Sequence, residues 1–337
     1  MIGHRMPECA DLIESVEKKL QDLFNTKSRV LISSSSGTGL QEAAVRNCSD
    51  VRVLNCVNGA FSNRWRKVTD ANGKLNSVLE VEWGQPIKPE DVLQCLKEDD
   101  FDAVTVVHNE TSTGVISPIE EISSAVRSEH GDEIQILVDS VSGVGGARLD
   151  FDGWELDVVL TSSQKALALP PGLSFCAVSD GAMEKASTVA NRGAYFDFIE
   201  LDRYLQRNQT PATPAISLIF ALDRQLDHMA AEGLESRLSR HLSLRDKTIS
   251  WAAARGFSLF AAADYESPTV TCLRNDRKIE VDRLNDFLRA RGFIVSNGYG
   301  VLRDKTLRIA HMGETSESDL DQLFEAVDAF LDMPNGS

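Results

Sequence analysis

The chain has 337 residues, 42% of them apolar, with 35 basic against 51 acidic side chains and a net charge of −16. That acidic surplus repels phosphate backbones and anionic lipid head groups, which argues against nucleic acid and membrane surfaces as partners. No apolar run approaches the roughly 18 residues of a membrane span, nothing resembles a secretory signal, and the length predicts two globular domains in a cytoplasmic protein.

Behind Pro7, the residues Leu12, Val16, Leu20 and Leu23 recur at helical spacing and predict an opening amphipathic helix. Apolar runs of strand character follow at residues 29–33, 51–57, 77–82, 103–108, 134–139, 158–161 and 175–179, and helix-like stretches at 41–47, 89–97 and 119–127 separate several of them. Strands alternating with helices predict an α/β fold with a mostly parallel, seven-stranded sheet and helices on both faces. From Pro214 a long helical region begins, its apolar stripe running through Ile216, Leu218, Ile219, Leu222 and Leu226 and on through Leu234, Leu238, Leu242 and Ile249 toward a second lobe. Strands at 269–273, 293–296 and 306–310, with helices at 281–291 and 317–331, then compose a smaller C-terminal α+β domain. The expected division is a large domain at 1–235 and a small one at 236–337, ending in a frayed tail at 334–337.

In a parallel sheet, ligands gather beyond the carboxyl ends of the strands, and here those ends are polar. They read Ser34-Ser35-Ser36-Gly37-Thr38-Gly39, Asn58-Gly59-Ala60-Phe61, Asn109-Glu110-Thr111-Ser112-Thr113-Gly114, Asp139-Ser140-Val141-Ser142 and Ser162-Ser163-Gln164-Lys165. The turn Ser36-Gly37-Thr38-Gly39 follows a strand and opens a helix, so it suits a phosphate, or is an ordinary capped turn. It matches neither the nucleoside-triphosphate loop nor the dinucleotide fingerprint. Asp139 closes a buried strand and needs a cationic partner, or serves as a cap or salt bridge. Lys165 also follows a buried strand, where desolvation favours the nucleophilic amine, although a lone lysine is commonly a solvated one.

Together, an anion cradle, a strand-end carboxylate and a strand-end lysine match the needs of pyridoxal 5′-phosphate: an anchor for its phosphate, an anion for its ring nitrogen and an amine for a Schiff base. Phe61 suits the ring face, or fills core.

At these positions the chain resembles the class V aminotransferases of fold type I, in the alanine–glyoxylate and serine–pyruvate aminotransferase branch. The resemblance is carried by HNETSTG (108–114), VDSVSGVGG (138–146), SSQKALALPPG (162–172), TPATPAISL (210–218) and LRIAHMG (307–313), and covers residues 3 to about 331. It implies that Lys165 bonds the cofactor aldehyde, Asp139 pairs with the ring nitrogen, Thr111 bonds the ring hydroxyl, and Ser36, Gly37, Thr38 and Gln164 hold the phosphate. Thr213, and with it Thr210, would reach the phosphate of a partner subunit in a homodimer with shared sites, and Arg308 would grip the substrate α-carboxylate. The implied reaction is a ping-pong transfer of an amino group from a small L-amino acid (alanine, serine or aspartate) to a keto acid such as glyoxylate or pyruvate. In that family a further segment with Pro-Gly-Pro precedes Gly3-His4-Arg5, so the large domain is expected to be shortened at its start.

The cysteines Cys9, Cys48, Cys56, Cys95, Cys176 and Cys272 are scattered, with no pairing or metal-ligand spacing, and read as reduced and mostly packed. A cysteine desulfurase needs a reactive cysteine on a mobile loop, whereas Cys272 lies in a strand-like run. A lyase or decarboxylase of the same fold could use the same lysine and aspartate. A non-catalytic accessory subunit that binds the cofactor would carry them too.

Overall fold

The structure, a computed structural model, describes residues 2–333, and the tail expected at 334–337 lies outside the described residues. Helix α1 (Pro7–Phe24) opens the chain, with Pro7 in its first turn, where a missing N–H costs nothing. Then come β1 (Arg29–Ser33), α2 (Gly37–Cys48), β2 (Val53–Val57), α3 (Ala60–Ala71), β3 (Asn76–Glu80), α4 (Pro89–Leu96) and β4 (Ala103–Val107). A short hairpin, β5 (Asn109–Glu110) with β6 (Val115–Ile116), leads to α5 (Ile119–His130), β7 (Gln135–Asp139), β8 (Val158–Ser162) and β9 (Ser174–Val178).

The sheet runs in the order β1-β9-β8-β7-β4-β2-β3. All strands are parallel except β9, which lies antiparallel between β8 and β1. Every residue of β2, β4, β7, β8 and β9 is buried. Successive side chains point to opposite faces of a strand, so the centre of the sheet is covered on both.

Helices α6 (Asp180–Thr188) and α7 (Phe198–Leu205) are followed by α8 (Ile216–Glu232) and α9 (Leu234–Ala254). The long helical region is therefore two helices, broken at Gly233, whose φ of 81° suits glycine. The expected stripe along the second of them is corrected: Leu242 is exposed, and the inward face of α9 is Arg237, His241, Leu244, Thr248 and Ala252. The reason lies in what α9 packs against. Arg237 donates to the carbonyls of Gly145 (3.0 Å) and Ala166 (2.8 Å), and His241 accepts from the Gly313 N–H (3.1 Å), so a junction of loop backbones demands polar side chains.

Last come β10 (Val270–Arg274), α10 (Val281–Arg289), β11 (Ser296–Asn297), β12 (Thr306–Ala310) and α11 (Glu317–Leu331), with the strands ordered β10-β12-β11. The strand expected at 293–296 shrinks to two residues beside β12. Two apolar cores result: one around the large sheet, with α1 and α8, and a smaller one formed by Leu244 and Ala252 of α9 with β10, β12, α10 and α11.

Candidate active site

The carboxyl ends of β1, β2, β4, β7 and β8 meet at one edge of the sheet. Ser36, Gly37, Thr38, Phe61, Thr111, Asp139, Gln164 and Lys165 surround one cavity of ≈ 200 Å³, joined by Gln41, Arg64, Asn109, Ser142 and Ser162. A larger, open depression of ≈ 670 Å³ lies at the opposite ends of the strands, around Gln135, Asp157 and Ser179, and contains none of the residues singled out by the sequence.

The cradle forms because α2 starts directly after β1. The first N–H groups of a helix have no carbonyl one turn behind them, and the Ser36 side chain does not cap them, so they and the positive helix end are available to an anion. Gly37 keeps this corner open, since a Cβ there would stand 2.6 Å from Val141 Cγ2.

Asp139 ends β7 with 6% of its surface exposed. One oxygen accepts from the Val141 N–H at 2.9 Å and the other from the Gln41 amide at 2.6 Å. Burial still pushes its pKa up to about 6, against those two donors. A carboxylate held in this way favours a cation at its remaining lone pairs.

Lys165 sits three residues past β8, in a turn fixed by the Ala168 N–H on its own carbonyl (2.9 Å) and by Arg237 on the next one. Burial, and after it the positive charge of Arg308, lowers its pKa below the ordinary lysine value; Asp139 opposes this and Arg64 adds to it. The neutral amine is the nucleophilic form.

Thr111 Oγ1 lies 2.6 Å from Ser142 Oγ at the cavity wall. Its carbonyl accepts from Arg308 Nη1 at 3.0 Å, while the Asn297 carbonyl accepts from Arg308 Nη2 at 3.0 Å, so Arg308 on β12 is anchored at the rim by backbone oxygens. Phe61 stands in the first turn of α3, and Glu110 puts it there. The fully buried Glu110 carboxylate accepts from the N–H groups of Phe61 (3.1 Å) and Ser62 (2.9 Å), capping the helix.

Thr210 and Thr213 stand apart from this cavity, beside Ser33, Ser34 and Tyr195. Thr210 Oγ1 donates to the Ala212 carbonyl at 2.7 Å, and Thr213 is exposed.

Sequence reasoning missed Gln41, Glu110 and Arg64. Gln41 was legible as a polar residue on the buried stripe of α2, between Leu40 and Ala44. Arg64 follows Phe61 by one helical turn, and was hidden because no helix was predicted at residues 60–71.

The wall has donors and acceptors to spare. Gln41 Oε1, Asn109 Oδ1 and Ser162 Oγ are buried without a hydrogen-bond partner among the described residues. Buried polar atoms are normally satisfied, so this wall suits a polar ligand. A free helix terminus, a cation-seeking carboxylate and a depressed lysine fit pyridoxal 5′-phosphate in its phosphate, ring nitrogen and aldehyde.

The class V aminotransferase family profile matches residues 1–323. The chain belongs to this family of fold type I enzymes, whose cofactor is pyridoxal phosphate. It is 35% identical to the small subunit of a soluble hydrogenase from Synechococcus sp. (strain PCC 6716), over 98% of this chain and 87% of that one. It is 30% identical to an L-aspartate–glyoxylate aminotransferase from Paracoccus denitrificans, over 94% and 82% respectively. Among solved structures, an alanine–glyoxylate aminotransferase from Nostoc sp. superposes with a TM-score of 0.90 at 28% identity, covering 96% of this chain and 88% of that one.

Proposed function

We propose that this aminotransferase moves an amino group from a small L-amino acid (alanine, serine or aspartate) to a keto acid such as glyoxylate or pyruvate in a ping-pong cycle. The observation that carries it is the meeting of Lys165 and Asp139 in one cavity with the α2 terminus. Pyridoxal phosphate held there would supply an aldehyde for the amine and a ring able to take up the electrons released when the α-proton leaves. Lys165 Nζ takes that proton from the substrate α-carbon, and its lowered pKa provides the free base. Asp139 keeps an anion beside the ring nitrogen. Phe61 covers one ring face, Thr111 bonds the ring hydroxyl, and Ser36, Gly37, Thr38 and Gln164 hold the phosphate. The planar fork of Arg308 takes the α-carboxylate in two parallel bonds, for which lysine has no equivalent.

Thr210 and Thr213, outside this cavity, serve the phosphate site of a partner in a homodimer. A cofactor-binding domain at 1–235, a small domain at 236–337 and a cytoplasmic location belong to the same proposal.

A panel of L-amino acids added to the holoenzyme without keto acid tests it. The visible chromophore should be lost with the true donor and return with glyoxylate or pyruvate, and Lys165→Ala should lack the chromophore from the start. An unchanged spectrum in that variant would refute the assignment of Lys165.

The name of the Synechococcus relative supports a second reading, an accessory subunit. A chromophore that no amino acid converts would mark it.

A further inference from the structure

One guanidinium group, that of Arg64, lines the cavity, and a second, that of Arg308, stands at its rim on the Thr111 carbonyl; only Arg308 has been given an anion. Arg64, one turn beyond Phe61 on α3, lines the wall with its Cζ 4.9 Å from the centre of the Phe61 ring. Its Nη2 donates to Tyr299 Oη at 2.8 Å and its Nη1 lies 3.4 Å from Thr38 Oγ1. Among the described residues, every hydrogen bond made by Arg64 and Arg308 goes to a neutral oxygen. Two residues further along the same helix, Arg66 pairs with Asp70 at 3.0 Å in the ordinary way. In a chain with a net charge of −16, two half-buried arginines without a paired carboxylate, Arg64 on the cavity wall and Arg308 at its rim, mark a place suited to anions.

The phosphate is provided for elsewhere, by the free terminus of α2 and the unpartnered hydroxyl of Ser162. The shorter contact of Arg64 is not to the cradle but to Tyr299 in the small lobe. Two residues before Tyr299, the Asn297 carbonyl holds Arg308. Both forks are therefore tied to the segment 297–299, and Tyr299 also packs on Phe61 with ring centres 5.4 Å apart.

We propose that Arg64 is a specificity residue that takes the second carboxylate of a dicarboxylic amino acid or keto acid, while Arg308 takes the first. This rests on the transamination reading above. Alanine and serine then leave Arg64 without an anion, and an acidic substrate of aspartate or glutamate type supplies it.

Succinate and butyrate, equal in carbon number and unreactive, separate the two carboxylate sites when each is titrated into holoenzyme by calorimetry. Succinate should bind roughly 10- to 100-fold tighter, the range of a charge-assisted pair. Arg64→Gln should erase that difference and Arg64→Lys, which keeps the charge but not the fork, should restore part of it. Cofactor affinity of the apo variants should stay within about threefold of wild type. The proposal is overturned if wild type does not discriminate, if Arg64→Gln still does, or if that variant loses cofactor affinity about tenfold, which would make the phosphate its anion. Discrimination by an enzyme that converts no amino acid would sink transamination and leave the dicarboxylate site standing. Alanine turnover without discrimination would do the reverse.

Discussion

The amide of Gln41 lies 2.6 Å from Asp139 Oδ2, so the helix that forms the anion cradle and the carboxylate at the end of β7 are joined by one buried hydrogen bond. The Trp65 indole donates to the Gln41 carbonyl at 3.0 Å and ties α3 to the same point. Three elements that approach the cavity from different directions are thereby set relative to each other. Gln41→Leu keeps the volume and removes the donor, which leaves Asp139 more reluctant to ionise. Cofactor affinity of the apoenzyme, followed by fluorescence, should fall about tenfold, in keeping with the ~1.5–3 kcal/mol of a hydrogen bond to a charged group. Unaltered affinity would reduce Gln41 to packing.

Asp139 also makes apoenzyme stability depend on pH. Its pKa stands near 6 in the fold against an ordinary 3.8, so the folded state holds the proton more tightly than the unfolded chain. The resulting stabilisation is complete below about pH 3.8 and is lost as pH rises through about 6. Asp139→Asn keeps the shape without the charge, and Gln41 can turn its free oxygen toward the new amide. The variant should therefore gain on wild type between pH 5 and 7.5 by on the order of 1–2 kcal/mol in urea unfolding of the apo forms. A difference that stays flat with pH would mean that the buried carboxyl is not the titrating group.

The parts of this fold legible in the sequence were those whose burial is decided locally. β1, β12 and α11 fall at the predicted residues, because β1 is a continuous apolar run buried on both faces while β12 and α11 each turn one apolar side to the small core. Helix α3 was hidden by a composition of Asn, Arg, Lys and Asp around a short apolar spacing of Phe61, Trp65 and Val68. The outward turn of Leu242 and the inward turn of Arg237 could not be read, since their cause is three loop backbones from distant parts of the chain. The candidate site followed the same division. Lys165 and Asp139 stand at strand ends and were read from the pattern, Thr111 came only with the family resemblance, and Gln41 and Arg64 needed helix phase before they pointed anywhere.

Arg237 is fully buried and holds Gly145 and Ala166 by their carbonyls, with Glu232 at 2.6 Å and Glu314 at 3.0 Å as its counter-charges. Arg237→Ala strands the two carbonyls at the junction of the lobes, while Glu232 keeps Arg240 and Glu314 keeps Gln225. A loss of about 2–4 kcal/mol is expected in denaturant unfolding, from two buried acceptors left without a donor. Arg237→Lys should recover only part of it, because an ammonium reaches fewer of the four acceptors at once. Because Ala166 follows Lys165, both variants should also slow the donor half-reaction more than they weaken cofactor binding. Stability within about 1 kcal/mol of wild type, the scale of a surface substitution, would contradict the buried network.

Cys272 decides between transamination and sulfur chemistry. Its side chain is 2% exposed on β10, with Sγ 3.7 Å from the Ser112 carbonyl, and burial pushes the thiol pKa up to about 11. At neutral pH such a group is a thiol, while the thiolate is the nucleophile that a desulfurase needs. Native enzyme treated with a disulfide reagent at pH 8 should therefore leave Cys272 unlabelled, as peptide mass mapping can read. Cys272→Ala should keep the amino-acid half-reaction within about threefold, because it removes a single buried sulfur from the strand and leaves only a small void. L-cysteine should release no sulfide from either protein. Sulfide production by wild type that is lost in Cys272→Ala would overturn the proposed amino transfer.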